Sequence, residues 1–489
     1  MAIYFGQFLD HDLSLSPEAE LEPTECCPGC PEVQREGRNE ECLEILVPPN
    51  DPFFSRQRPP QTCIQLTRSI PFAGTPIGTP SQDREQQNAI TAFLDASNLY
   101  GSDDERNERI RTSRNGMLAV RQAGGRLMPE ERFGSCLVPV GGDSRALENV
   151  DLATYHALFI REHNRIATEL LPRFAPLSRR GRCSGACDEL LFQNVRRIVS
   201  AEWQNIIYSE WLPLIIGNTR VNRLRLNLAT TTPSTYNPRV DPSIISAFSA
   251  AAFRFGHSML FRTLRQRNTA NGRLVESFPL STAFFEPSQY RERSGVGMEQ
   301  LLAGMLAEPA NQFDRISTRE ITNLLFQQND RFGQDLIARN IARARDHGIP
   351  GFASYYAVLG PRIDANRRLQ SWNNRPQTFS QESWNILRSV YVNPQDIDLF
   401  AGGLLEVTPA QNSGEGVLGN TFGELLGLQF QRLRSGDRFF FTHQGTCLDN
   451  VLMSSHMKCY YLISDNIAFF NVLILCFRCC PRQPHNRGN

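Results

Sequence analysis

Lysine is almost missing from this 489-residue chain: of 51 basic side chains only Lys458 carries an amine, so the other 50 are arginines. Helix propensity does not explain the bias, because both residues are good helix formers. Net charge is missing too, since 51 acidic groups balance the 51 basic ones. That balance excludes a basic coat for nucleic acid and an acidic disordered tail. No long apolar run occurs. The stretch from Ile467 to Phe477 contains Asn471, and extending it back to Tyr460 brings in Asp465 and Asn466, so no membrane span is expected. Internal repeats, sustained strand alternation and Arg-Gly-Asp or Lys-Gly-Asp tripeptides are absent. Met1 to Gly6 offers neither a charged region nor a long apolar one before Asp10, so no secretion signal is read there.

Apolar side chains are plentiful, at 40% hydrophobic residues with 31 phenylalanines, enough for a large core and against global disorder. The 13 cysteines point to an oxidising compartment with disulfides. Their odd number leaves at least one thiol free or paired between chains. A disulfide-rich composition without a signal is read as a secreted, extracellular chain whose signal lay upstream. Residues 14–82 are rich in Pro, Cys and Glu and read as stapled loops.

From about Gln87 helical periods dominate. Leu152, Tyr155, Phe159, His163, Ile166 and Leu170 recur at steps of three and four and form one apolar stripe. A second helix is expected through Val195, Val199, Trp203 and Ile206 to Gly217, and a third opening at Asp241-Pro242 and carrying Phe248, Phe253, Phe255 and Met259. The fold is therefore expected to be mainly α, with little β: one large domain over 1–445 and a divergent tail over 446–489. The tail cysteines Cys459, Cys476, Cys479 and Cys480 are too irregularly spaced to read as a zinc site.

Four segments could carry chemistry. In Gly6-Gln7-Phe8-Leu9-Asp10-His11-Asp12 a histidine sits between two carboxylates, and Gln7 shares its face if the segment is helical. Thr91, Phe93, Asp95 and Ser97 point one way in an extended loop and offer the hard oxygens that Ca²⁺ prefers, or they simply form a turn. Arg145 and Glu148 are spaced as a helical ion pair. His257, in Phe253-Arg254-Phe255-Gly256-His257, is either a satisfied core histidine or an iron ligand whose second nitrogen needs an acceptor, for which the Asn340 carbonyl is a candidate.

In this order and spacing the four segments closely resemble the animal haem peroxidase family. Leu158-Phe159-Ile160-Arg161-Glu162-His163-Asn164-Arg165, Arg345-Asp346-His347-Gly348-Ile349-Pro350-Gly351 and Gly436-Asp437-Arg438-Phe439-Phe440 match as well. The likeness covers about Phe5 to Gly445 and is strongest to invertebrate chorion peroxidases and peroxinectins.

The resemblance implies a haem enzyme that reduces hydrogen peroxide, with His11 as acid and base, Arg145 stabilising charge and Gln7 orienting water or halide. It implies His257 as proximal iron ligand supported by Asn340, Arg254 on a haem propionate, and Asp10 and Glu148 as ester links to a b-type haem. Asp12, Thr91, the Phe93 carbonyl, Asp95 and Ser97 would bind Ca²⁺. Asn149 stands where some members have a haem-linked methionine, which implies iodide, bromide, thiocyanate or phenols such as tyrosine as donors rather than chloride. Partners would then be peroxide, small anionic or phenolic donors and matrix or eggshell proteins, with no nucleic acid. An adhesion protein of peroxinectin type and an inactive truncated peroxidase are the alternatives. His163 and His347 are expected to make structural hydrogen bonds. An enzyme releasing halogenating oxidants would gain from avoiding amines, which gives the arginine bias a chemical reason.

Overall fold

A computed structural model of the chain describes residues 1–20, 39–72, 84–121, 127–134, 136–174, 183–228, 236–327, 332–360, 369–409 and 415–443. The expectations for the tail cysteines and the Ile467 to Phe477 run lie outside these residues. The architecture is mainly helical. Its principal helices are α1 (Ala2–Leu13), α2 (Val150–Phe174), α3 (Ala186–Ile206), α4 (Ser288–Ala307), α5 (Leu336–Asp346) and α6 (Asn420–Ser435). Three short antiparallel hairpins, Ile45–Leu46 with Cys63–Ile64, Glu130–Phe133 with Cys136–Pro139, and Thr263–Arg267 with Leu274–Pro279, are the paired strands among the described residues.

The apolar stripe read from sequence forms α2, and its Tyr155 and Phe159 bury their rings against Phe8 of α1, with centroids 5.8 and 5.4 Å apart. Trp203 of α3 closes on the same ring edge-on at 5.2 Å. Burying a Phe side chain contributes roughly 1.5–3 kcal/mol, so α1 is fixed by α2 and α3 rather than by its own twelve residues. The second expected helix runs from Ala186, widens into a π-turn over Ile207–Trp211, and continues to Ile216. It ends at Gly217, whose φ of 85° suits glycine alone among common residues. The π-turn lays Trp211 against α1 where Gly6 has no side chain, 3.3 Å from the position a Cβ would take.

The third expected helix is corrected. Asp241 and Pro242 do not open it: the Asp241 carboxylate accepts from the Ser243 backbone N–H at 2.9 Å and from its hydroxyl at 2.8 Å, closing a local turn. A short helix covers Ser246–Ala250, Ala251 breaks it at φ −136° and ψ −69°, and a 3₁₀ segment follows over Ala252–Met259. Phe253 of that segment stacks on Phe248 at 4.4 Å, and Phe430 of α6 lies beneath both.

In the Cys/Pro-rich region the described pieces are joined by isolated bridges, Glu18 to Ser69, Cys42 to Thr67 and Pro71 to Gln86. Cys42 and Cys63 each take part in a disulfide, and Cys183 pairs with Cys187. Among the described residues no helix is long and apolar enough to cross a membrane.

Candidate active site

A cavity of about 310 Å³ opens between α1 and the 3₁₀ segment, and both His11 and His257 line it. Gln7, Asp10, Arg145, Glu148, Asn149 and Arg254 line it too. Eight of the residues singled out in the sequence thus share one wall system, although their segments lie far apart in the chain.

On the α1 side, the His11 ring stands between two carboxylates. Its Nδ1 is 3.7 Å from Asp143 Oδ1 and its Nε2 is 3.6 Å from Glu148 Oε2, both beyond hydrogen-bond length. Burial, with Arg145 nearby, holds His11 well below the usual histidine range, so the ring is neutral. Arg145 does not pair with Glu148 as helical spacing suggested, because its segment forms turns rather than a helix. Its Nε and Nη2 instead donate to Asp143 at 2.9 Å each, and its Nη1 donates to the Ser14 carbonyl at 3.0 Å. Burial pushes Glu148 up to about 7 and Asp10 up to about 6, against the pull of Arg145.

Asn149 carries two duties that the sequence did not disclose. Its Oδ1 accepts from the Leu152 N–H at 2.9 Å, capping α2, while its Nδ2 donates to Gln7 Oε1 at 2.9 Å. Asp143 was missed as well. The only sequence signal was an acidic residue two positions before Arg145.

On the opposite wall His257 Nδ1 lies 2.8 Å from Asn340 of α5. The proximity matches expectation but the polarity is reversed. Arg254 can only donate, and its Nη1 takes the Asn340 carbonyl at 2.9 Å, so the amide nitrogen faces His257. Burial and the Arg254 charge push His257 down to about 3. Arg254 itself is lowered to about 10 by burial, opposed by Asp10.

Beside this cavity, Asp12 and the Thr91–Ser97 loop converge. The Ser97 hydroxyl donates to Asp12 Oδ1 at 2.9 Å, the Thr91 hydroxyl donates to Asp95 Oδ1 at 3.0 Å, and Trp203 Nε1 donates to Asp12 Oδ2 at 2.7 Å. Burial, with Asp95 close by, raises Asp12 to about 8. Phe93 is 36% exposed. Among the described residues no group of three or more His, Cys, Asp or Glu side chains is placed to hold a metal ion; the cluster has two carboxylates and two hydroxyls.

Most of the other histidines among the described residues have structural partners. His163 bridges the Tyr100 hydroxyl and the Gly116 carbonyl at 2.8 Å each, His347 meets the Ser69 hydroxyl at 2.8 Å, and His443 meets the Arg434 carbonyl at 2.9 Å. His156 is the exception, fully buried with neither ring nitrogen bonded.

The site suits a flat, iron-bearing, dianionic group on its chemistry: two neutral imidazoles reach one cavity, two desolvated carboxyls flank it, and Arg254 contributes a buried cation. Comparison with known proteins agrees. The family model for animal haem peroxidase matches residues 1–456. Chorion peroxidase of Drosophila melanogaster is 34% identical over 91% of this chain and 53% of its own length. Human myeloperoxidase is 34% identical over 91% of this chain and 58% of its own, so the chain spans a little over half of these curated relatives. Peroxidase A from Dictyostelium discoideum superposes with a TM-score of 0.71 at 26% identity, covering 91% of this chain and 80% of that one. The Oryza sativa fatty acid α-dioxygenase, at 17% identity and a TM-score of 0.68, shares the fold. The chain belongs to the animal haem peroxidase family.

Proposed function

We propose that this chain reduces hydrogen peroxide with electrons from small anionic or phenolic donors, using haem held between α1 and the 3₁₀ segment. The observation that carries the reading is the placement of His11 and His257 in one cavity, one on each side. When bound, the haem supplies the redox chemistry that splits the peroxide bond. Peroxide takes up two electrons and two protons and leaves as water, and the donors provide the electrons.

His11, neutral and with Nε2 on the Glu148 side, takes the first proton from peroxide and returns it to the departing oxygen. Arg145, held rigid by Asp143, supports the negative charge that builds as the bond breaks. Gln7, fixed by Asn149, orients water or halide. His257 would be the protein ligand for iron, Arg254 would pair with a propionate, and Asp10 and Glu148 would supply the carboxyls for ester links; all four line the cavity. Ligation requires Asn340 to present its carbonyl to His257 Nδ1, the reverse of its present orientation. The oxygens of Asp12, Thr91, Asp95, Ser97 and the Phe93 carbonyl would hold a Ca²⁺ ion. With asparagine at 149, bromide, iodide, thiocyanate and phenols are better donors than chloride, and chloride turnover equal to bromide at neutral pH would contradict this. The family relationship and the disulfides support an extracellular setting, with matrix or eggshell tyrosines among the candidate targets.

The test is to express residues 1–489 with haem and to read the Soret band and guaiacol turnover beside His11→Ala. Haem uptake with turnover reduced in the variant is expected. Failure to take up haem would sink the enzymatic reading, whereas unchanged turnover in the variant would sink only the role of His11.

A further inference from the structure

We propose that Asp143 and His156, joined by a buried water, form the assembly that positions His11 and Arg145. The inference rests on the roles just given to those two residues. The Asp143 carboxylate is 4% exposed as a residue and accepts three hydrogen bonds from Arg145: Oδ1 takes the backbone N–H at 2.8 Å and Nε at 2.9 Å, and Oδ2 takes Nη2 at 2.9 Å. Although burial opposes it, the Arg145 guanidinium holds Asp143 below the usual carboxylate range. It is an ionised acceptor facing His11 Nδ1.

At 3.7 Å that approach is too long for a direct bond, and His11 Nδ1 has no other partner. His156 lies on α2 behind the same loop, 0% exposed, with Nδ1 and Nε2 both unbonded. Its ring is held edge-on to Phe8 at 4.8 Å, and at Gly141 a Cβ would stand 2.9 Å from its Nδ1. Gly142 lets the loop press on the Leu99 backbone, where a Cβ would stand 2.4 Å from the carbonyl carbon. The fold thus brings two histidines with unmet hydrogen-bonding capacity close to the Asp143 carboxylate in its interior, a costly arrangement unless bridged. A polar gap above 3.5 Å between such groups is where a water bridges, and buried waters typically make about three bonds.

The bridging water accepts from His11 Nδ1–H, donates to Asp143 and donates to one nitrogen of His156. The proton of neutral His11 therefore sits on Nδ1, which leaves the Nε2 lone pair for peroxide. Asp143 is a positioning residue for both His11 and Arg145, and His156 positions the water.

Histidine ¹⁵N NMR on the carbon monoxide complex of the ferrous holoprotein, which is diamagnetic, tests the assignment without any substitution: His11 should carry its hydrogen on Nδ1, and the Nε2–H tautomer would overturn the proposal. In stopped flow, Asp143→Asn and His156→Phe should each lower the second-order rate constant for peroxide about 10–100-fold, with the donor KM unchanged. His156→Gln, which keeps a polar group, should recover most of the loss. Wild-type peroxide rates in Asp143→Asn and His156→Phe, beside a slow His11→Ala, would overturn the positioning roles alone. A wild-type rate in His11→Ala would remove the role of His11 and this inference with it.

Discussion

Asn149 is a single side chain that ties stability to chemistry. Removing its cap from α2 by Asn149→Ala should cost about 1 kcal/mol and also release Gln7. Asn149→Asp keeps an oxygen for the Leu152 N–H but loses the donor to Gln7. Thermal unfolding should therefore rank wild type and Asp together above Ala, while halide oxidation should group Asp with Ala. Equal halide kinetics in all three would show that the Gln7 contact is idle.

Glu148 gives the pH dependence a sign. Its folded pKa, about 7, lies above its ordinary value of 4.5 because of burial, so the haem-free fold holds this proton more tightly than the unfolded chain does. The resulting stability is full below pH 4.5 and is lost as pH rises through about 7. Glu148→Gln, which cannot ionise, should flatten that part of the curve. Denaturation midpoints followed from pH 4 to about 8 in both proteins check it, and two parallel curves would show that Glu148 stays accessible to water.

Among the elements, the loop from Gly141 to Asn149 matters most, because it carries Arg145, Glu148 and Asn149 into the cavity wall and Asp143 as the partner that holds Arg145. Gly142→Ala would drive a methyl into the Leu99 backbone, a form of overpacking that costs roughly 1–3 kcal/mol. The loop must then move, carrying Arg145 with it. A lowered melting temperature and a reduced peroxide rate are expected together, and an unchanged rate would mean that the loop relaxes without disturbing Arg145.

Elements also differ in how far the sequence discloses them. α2 was legible because a long amphipathic period survives any choice of partner. The helix expected at Asp241 was not: a capping residue followed by proline also describes a local turn, and nothing in the run from Ala250 to Ala252 announces the break at Ala251. The change from α to 3₁₀ is what sets the placement of His257.

For the molecule as a whole, periodicity and composition yield a helical domain with a large core, but they cannot say that residues 11 and 257 face one cavity. That pairing came from collinear motifs matching a family. Asp143 and His156 stayed hidden because their role depends on unmet hydrogen bonds in three dimensions, which no spacing encodes. Arginine's excess, in contrast, has a use in the fold. Two-pronged pairs such as Arg345 with Asp398, at 2.9 and 2.7 Å, and Arg165 with Glu162, at 2.8 and 2.6 Å, need a planar fork that lysine lacks.

The Asp12 and Asp95 carboxylates lie where several elements meet. Asp12 adjoins His11 on α1, accepts from Trp203 on α3, and meets Ser97 from the loop, so one ion would join three parts of the core. Two buried carboxylates close together repel each other when ionised, and burial raises both; Ca²⁺ would allow both to ionise. At a hundredfold excess over its Kd such an ion stabilises by about 2.7 kcal/mol. Melting in calcium should therefore exceed melting in EGTA for wild type, and Asp95→Ala should lose most of the difference. Because α1 also carries Gln7 and His11, the peroxide rate should fall with calcium removal before global unfolding begins. Identical melting in calcium and EGTA for the wild type would mean that the Asp12 and Asp95 pair is held by protons and hydrogen bonds alone.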